Sequence, residues 1–278
     1  MRSISVRSLG TNIFVIAVLF FVSMIPINHV IAAPSENEGS DKALQEQVVA
    51  PIADQLLRMM GDFLKESEQF TFHAKITFDD LLPTGQKIQY AATNDVAVHR
   101  PDRIYAVFKG DRGNKRFWYD GKSITLLNMN ENFYATKEIP ARKIDDALDY
   151  IMEKLGFSPP LSDFASQDPY KILIENVQFG FYVGLHDVEG IACHHLAFVE
   201  KYIDWQVWIE DSNQLVPRKL VITYKTLDGS PQYTAIFSDW DLTARLPDSL
   251  FNADLLESSD FERIEFLKLK ETITEKSK

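Results

Sequence analysis

The chain has 278 residues, a formal net charge of −11 and one cysteine. That acidity repels phosphate backbones, which sets nucleic acid aside as a partner, and a lone cysteine allows no internal disulfide. Cohesion has to come from an apolar core, for which 19 Phe, 10 Tyr and 4 Trp are the material.

The start of the chain differs from the rest. Arg2 and Arg7 precede an apolar run, Ile13 to Ile25, and small residues follow in "VIAAPSENEGS". A basic start, a short apolar centre and a small-residue exit predict a secretory signal peptide over 1–32. The run falls short of the roughly 20 residues a spanning helix needs. Cleavage after Ala32 avoids placing Pro34 directly behind the cut; an uncleaved anchor is the alternative. No cysteine stands at the exit to carry a lipid. Removing Arg2 and Arg7, with no acid, moves the charge from −11 to −13. The product is then not an integral membrane protein.

Residues 33–41 read as a disordered leader. From Lys42 to Ser67 the apolar residues Leu44, Val48, Ile52, Leu56, Met59, Met60 and Phe63 recur at helical spacing, with Pro51 marking a kink or a break. The period then becomes two. "QFTFHAKITFDD" sets Phe70, Phe72, Ala74, Ile76 and Phe78 on one face of a half-buried antiparallel strand. Further strands follow across short polar turns, Asp120-Gly121 giving the clearest hairpin signal.

Residues 141–177 interrupt this meander. Ile144, Leu148, Ile151, Met152 and Leu155 make a helical stripe that Gly156 ends; Pro159-Pro160 forbids a continuous helix, and Ser162 or Asp163 is placed to cap a second short one. The meander resumes with Phe179, Phe181, Val183 and Leu185 alternating against Gly180, Tyr182 and Gly184. About ten or eleven strands result in all. "PDSLF" predicts a short turn or helix, and residues 259–278 a charged tail. One domain, 42–258, contains the meander and its insert.

Several clusters invite chemistry. In "CHHLAF" the strand period puts Cys193 and His195 on one face, about 7 Å apart, and His194 on the other, so the two histidines cannot share an ion. His73, His99 and His186 add no ligand spacing. A reactive thiol needs an electropositive setting and a base in contact, whereas an apolar sheet face raises its pKa. Asp79-Asp80, Asp145-Asp146 and Asp239/Asp241 fall at a strand end, in a helical first turn and around Trp240, without a calcium-loop pattern. No phosphate loop, HExxH or GxSxG occurs. These readings leave no catalytic residue, no metal ligand and no cofactor. What remains is a sheet with one oily face and an apolar helical insert to cover it. The insert either fills that face completely or leaves a cavity.

"FWYDGKSITLLNMNENFYA", followed by "CHHLAF", "DWQVWIE", "PRKLVITY" and "PQYTAIFSDW", closely resembles the predicted periplasmic proteins of the domain of unknown function 2092. The resemblance runs from Phe70 to Leu255, and that family looks like part of the superfamily of the lipoprotein carriers LolA and LolB. It implies a periplasmic protein of α+β fold: a LolA-like antiparallel β half-barrel of about eleven strands, with an N-terminal helix and inserted helices covering its concave face. It transfers no catalytic residue. The first expected function is a periplasmic carrier or sensor of an acyl chain, lipid or lipoprotein. Phe70, Phe72, Ile76, Phe78, Phe179, Phe181 and Val183 then line the cavity, and Leu148 and Met152 lie on a lid hinged near Gly156 and Pro159-Pro160. The alternative is an interaction module with a filled core that binds an envelope protein. The third is an enzyme.

Overall fold

The computed structural model describes residues 48–266. The signal peptide, the leader, residues 42–47 of the expected helix and the tail from 267 lie outside the described residues.

A two-residue strand, β1 (Val48–Val49), leads into α1 (Pro51–Glu66). Pro51 begins the helix rather than breaking it: its φ suits the first helical position, and the N–H it lacks would have no partner there. The helical spacing read at Val48 is therefore corrected to strand. Ala53, Leu56, Leu57, Met60 and Leu64 form the buried stripe of α1.

Six strands follow: β2 (Gln69–Leu81), β3 (Lys87–His99), β4 (Arg103–Gly110), β5 (Gly113–Tyr119), β6 (Ser123–Asn128) and β7 (Phe133–Glu138). At the β5–β6 hairpin, Asp120 Oδ1 accepts from the N–H groups of Lys122 and Ser123 at 2.8 and 2.7 Å, the short-side-chain turn its sequence announced. The insert comprises α2 (Ile144–Tyr150), a wider π-type turn (Ile151–Leu155), a 3-10 turn (Ser162–Ala165) and α3 (Pro169–Ile174). Five strands complete the sheet: β8 (Phe179–Val188), β9 (Ile191–Val199), β10 (Ile203–Glu210), β11 (Pro217–Tyr224) and β12 (Gln232–Asp241). After two more 3-10 turns, β13 (Glu262–Arg263) pairs with β7.

All thirteen strands form one sheet, in the order β1-β8-β9-β10-β11-β12-β2-β3-β4-β5-β6-β7-β13. The eleven longer strands pair antiparallel, and the two end strands do not meet, so the barrel stays open. Bulges in β8, in β12 and between β10 and β11 bend it. The order helix, six strands, helices, five strands is the one expected, and the fold is an α+β half-barrel. Alternation sends Phe70, Phe72, Ile76, Phe78, Leu196, Phe198, Trp205 and Val207 to the inner face, under the helices, as one core. Each large side chain so buried contributes roughly 1.5–3 kcal/mol. The outer face carries two small clusters, around Trp118 and Leu127 and around Cys193 and Trp208.

Strand β8 departs from its expected facing. Phe179 and Phe181 pair with Val199 and Ala197, outer-face positions, while Gly180 and Tyr182 take the inner ones. Val183 is the extra residue of a bulge, unpaired between Tyr182 and Gly184. Phe179, Phe181 and Val183 are exposed, Phe181 by 51%. The cause is steric. A Cβ on Gly180 would lie 2.6 Å from Val49 and 2.9 Å from Phe198, so only the glycine-bearing phase of this strand can approach the core.

Candidate functional site

The helical pieces form a roof over the inner face, and the roof is held unevenly. At one end Arg100, buried at the close of β3, donates to four carbonyls: Leu64 in the last turn of α1 and Ser67 just after it, and Phe164 and Ser166 in the insert, at 2.6–3.1 Å. Its guanidinium also lies 4.9 Å above the Phe70 ring. The planar five-donor fork suits such a bundle of acceptors, and desolvation lowers its pKa only to about 10, so it stays charged. Tyr170 of α3 ties the same end to α1. Its hydroxyl donates to Asp54 and accepts from Arg58 at 2.7 Å, and Lys65 pairs with Asp168 at 2.8 Å. The helices touch at Gly61, where a Cβ would stand 2.5 Å from that of Tyr170.

The other end, Phe157 to Pro160, rests on the sheet more lightly. It follows the π-type turn and Gly156, whose φ of 78° closes that turn, and it leads into Leu161 at φ 66°. An αL leucine stores of order 1–3 kcal/mol. One polar tie to the sheet is a long hydrogen bond from Asn94 Nδ2 to the Pro160 carbonyl, at 3.5 Å. Beneath it lies a cavity of about 20 Å³, room for about one water. Two cross-strand rows make the floor. One is apolar, with Ala106, Phe117 and Leu126; the next, nearer the β4–β5 hairpin, holds Asn94, Phe108 and Lys115. Asn94 is 1% exposed, and its Oδ1 has no hydrogen-bond partner. Burial, with Arg112 adding to it and Glu131 opposing it, pushes the Lys115 ammonium down to about 8.

The residues expected to line a cavity are dispersed. Phe70 and Phe72 are buried in an aromatic group with Phe237 and Trp240, the Phe72–Trp240 centroids lying 4.7 Å apart, and Phe164 of the roof stands on Phe237 at 5.3 Å. Ile76 and Phe78 are equally covered. Leu148 and Met152 are half-buried on the insert. Phe179, Phe181 and Val183 lie outside, as described. Alternation alone did not reveal Arg100, Asn94 or Lys115. A signal existed for the last two, polar residues in phase with Val96 and with Phe117 on strands whose phase is otherwise apolar.

The Cys-His-His stretch divides as its period dictates. Cys193 and His195 face outward and His194 inward. Burial raises the Cys193 thiol to about 11, far from a reactive thiolate. His195 stacks on Trp208 at 3.9 Å and meets Gln206 Oε1 through Nε2 and His186 through Nδ1, each at 3.0 Å. With Gln206 Oε1 accepting, the His195 proton sits on Nε2 and His186 donates to Nδ1. Desolvation lowers the His195 pKa and favours this neutral form. Among the described residues no three His, Cys, Asp or Glu side chains gather as a metal needs. An open outer groove of about 290 Å³ runs past the His73–Asp95 pair, whose Nδ1–Oδ1 distance is 2.6 Å, to Asp239 and Leu250.

A second polar group lies under the clamped end. Burial pushes Glu200, bonded by the Trp205 indole at 2.9 Å, up to about 7, and Asp163 of the insert up to about 6. Each repels the other's charge, and Tyr224 and Tyr233 beside them are held neutral, their hydroxyls buried without hydrogen-bond partners.

A family described as "Predicted periplasmic protein (DUF2092)" matches residues 53–267. The chain belongs to this family. No curated protein matches significantly. Among solved structures, LprF from Mycobacterium bovis aligns at 13% identity over 71% of this chain and 97% of its own, with a TM-score of 0.42. A LolA superfamily protein from Nitrosomonas europaea aligns at 11% over 73% and 99%, TM-score 0.37. The lipoprotein LppX of Mycobacterium tuberculosis aligns at 11% over 71% and 99%, TM-score 0.39. Among the described residues no helix is long and apolar enough to cross a membrane.

Proposed function

We propose that this protein is exported to the periplasm and there binds an apolar ligand, an acyl chain, lipid or lipoprotein, as carrier or sensor. The ligand sits on the inner face after the Phe157–Pro160 flap lifts. The family's description supports the compartment. The contrast within the roof supports the mechanism: one end is fixed by the four hydrogen bonds of the buried Arg100, while the other meets the floor with a long, 3.5 Å hydrogen bond from Asn94 and leaves a small void beneath it.

Magnitudes set what the flap has to do. A buried chain gains about 0.8 kcal/mol per CH₂, and association costs on the order of 4–15 kcal/mol. A long chain is therefore held only when almost fully enclosed. The 20 Å³ cavity of the closed form takes no such chain, so opening precedes binding.

The test is a locked flap. Asn94→Cys with Pro160→Cys places a thiol on each side of the contact, the native Cys193 being buried on the opposite face. Uptake of a fluorescent fatty acid is expected to stop on oxidation and return with reductant. Unlocked protein that takes up no such probe, and carries no apolar molecule when purified without detergent, overturns the reading.

One observation favours a second reading, docking of an envelope protein partner. β1 covers only Phe179 and Gly180 of β8, and beyond them Val183 and Leu185 are 47% and 54% exposed. A bare apolar edge accepts an added strand. Capture of a partner by protein with the flap locked, lost on Val183→Lys, distinguishes this reading from carriage.

A further inference from the structure

The cavity under the flap has an almost wholly apolar surface, and two residues with polar groups, Asn94 and Lys115, stand among its lining on one side. Asn94, Phe108 and Lys115 stand in one cross-strand row, two residue pairs from the Gly110–Gly113 turn, which marks the outer end, or rim, of these strands. The next row inward, Ala106, Phe117 and Leu126, is apolar. An amphiphile laid across these rows has its head at the rim and its chain toward the core.

Charge points the same way. In a chain of net −11, the stretch Lys109 to Arg116 holds four basic residues and one acid. A rim of that sign attracts an anion that the rest of the surface repels. Asn94 supplies the second observation: this lining residue is 1% exposed and its Oδ1, covered while the flap is closed, lacks a donor. Buried acceptors are nearly always satisfied, and a ligand head bearing a protonated oxygen supplies the missing donor.

We propose that Lys115 and Asn94 form a head-group subsite and that the ligand is a single-chain amphiphile with one anionic head, a carboxylate or a phosphate. This rests on the apolar-ligand reading above. Lys115 Nζ donates to the anionic oxygens in a charge-assisted bond sheltered by Phe108 and Phe117; Asn94 Oδ1 accepts from a protonated head oxygen, as a monoalkyl phosphate carries.

The experiment is titration of the purified full chain at pH 6.5 with dodecanoate, dodecyl phosphate and dodecanol, for the native protein, Lys115→Arg and Lys115→Met. At least one anion is expected to bind about tenfold or more tighter than dodecanol to the native protein and to Lys115→Arg. In Lys115→Met that gap closes while dodecanol affinity is unchanged. Which anion shows the gap identifies the head. Equal binding of all three, or a gap that survives Lys115→Met, overturns the subsite and leaves apolar binding standing. Binding of none of them overturns the apolar reading and this inference together.

Discussion

The two ends of the roof solve the same packing problem in different ways. Between α1 and α3 the backbones touch at Gly61, and one buried guanidinium satisfies four carbonyls from two segments. From Phe157 to Pro160 the chain instead runs through a π-type turn, a left-handed leucine and a long hydrogen bond over a small void. The difference teaches where motion is cheap. Opening the first end strands a buried charge and four acceptors, while opening the second loses a long hydrogen bond and uncovers Phe157 and Leu161, a cost that relief of the strained backbone at Leu161 offsets in part.

The largest expected effect comes from breaking the clamp. Arg100→Met leaves the Leu64, Ser67, Phe164 and Ser166 carbonyls without their donor. Loss of such a buried network costs about 3–5 kcal/mol, which lowers the melting temperature by roughly 10 °C in a domain of this size. A shift of a degree or two in calorimetry would show that apolar packing alone holds the roof.

Gly61→Ala is expected to cost about 1–3 kcal/mol, because its methyl has to push Tyr170 and the α3 backbone away from α1. Chemical denaturation reads this directly; an unchanged midpoint would mean that the helices slide apart without penalty.

The acids beneath the clamp make stability depend on pH. The folded chain holds the Glu200 proton up to about 7, whereas its ordinary value is 4.5; Asp163 holds its own to about 6 against 3.8. Between those limits the native state binds more protons than the unfolded chain, so stability falls as pH rises. The contribution is whole below about pH 4 and gone above about pH 7. Glu200→Gln is expected to flatten this slope and to stabilise the protein at pH 8 by roughly 2 kcal/mol. Equal slopes for the two proteins in urea titrations between pH 5 and 8 would remove Glu200 from the account.

The smallest effect belongs to the flap. Asn94→Leu removes an unsatisfied acceptor together with a poor hydrogen bond, and is expected to change stability by less than about 1 kcal/mol in either direction. A loss of several kcal/mol would show the flap to be as firmly held as the clamp.

Much of the fold was legible because it rests on local rules. Period two across Phe70–Phe78, the Asp120-Gly121 turn and the Gly156 stop each need only neighbours in sequence. β8 was misread because its letters alternate correctly while the room available does not; the interior glycines Gly180 and Gly184 were the warning. The site was less legible for a different reason. Of the aromatics that looked like a ligand wall, Phe70 and Phe72 are consumed by packing against Trp240, a contact that depends on a distant segment, while Phe179 and Phe181 face outward. Arg100 reads as a charge before a proline, and only the folded chain brings four carbonyls to it.

Hydrogen exchange resolved by segment tests the central claim most directly. In ligand-free protein, amides of residues 151–161 are expected to exchange through local opening, well before those of 51–66 and 169–174. Added acyl ligand should slow the first set and leave the others unchanged. If all three segments exchange together, only at the rate of global unfolding, the roof moves as one rigid piece and a liftable flap is contradicted.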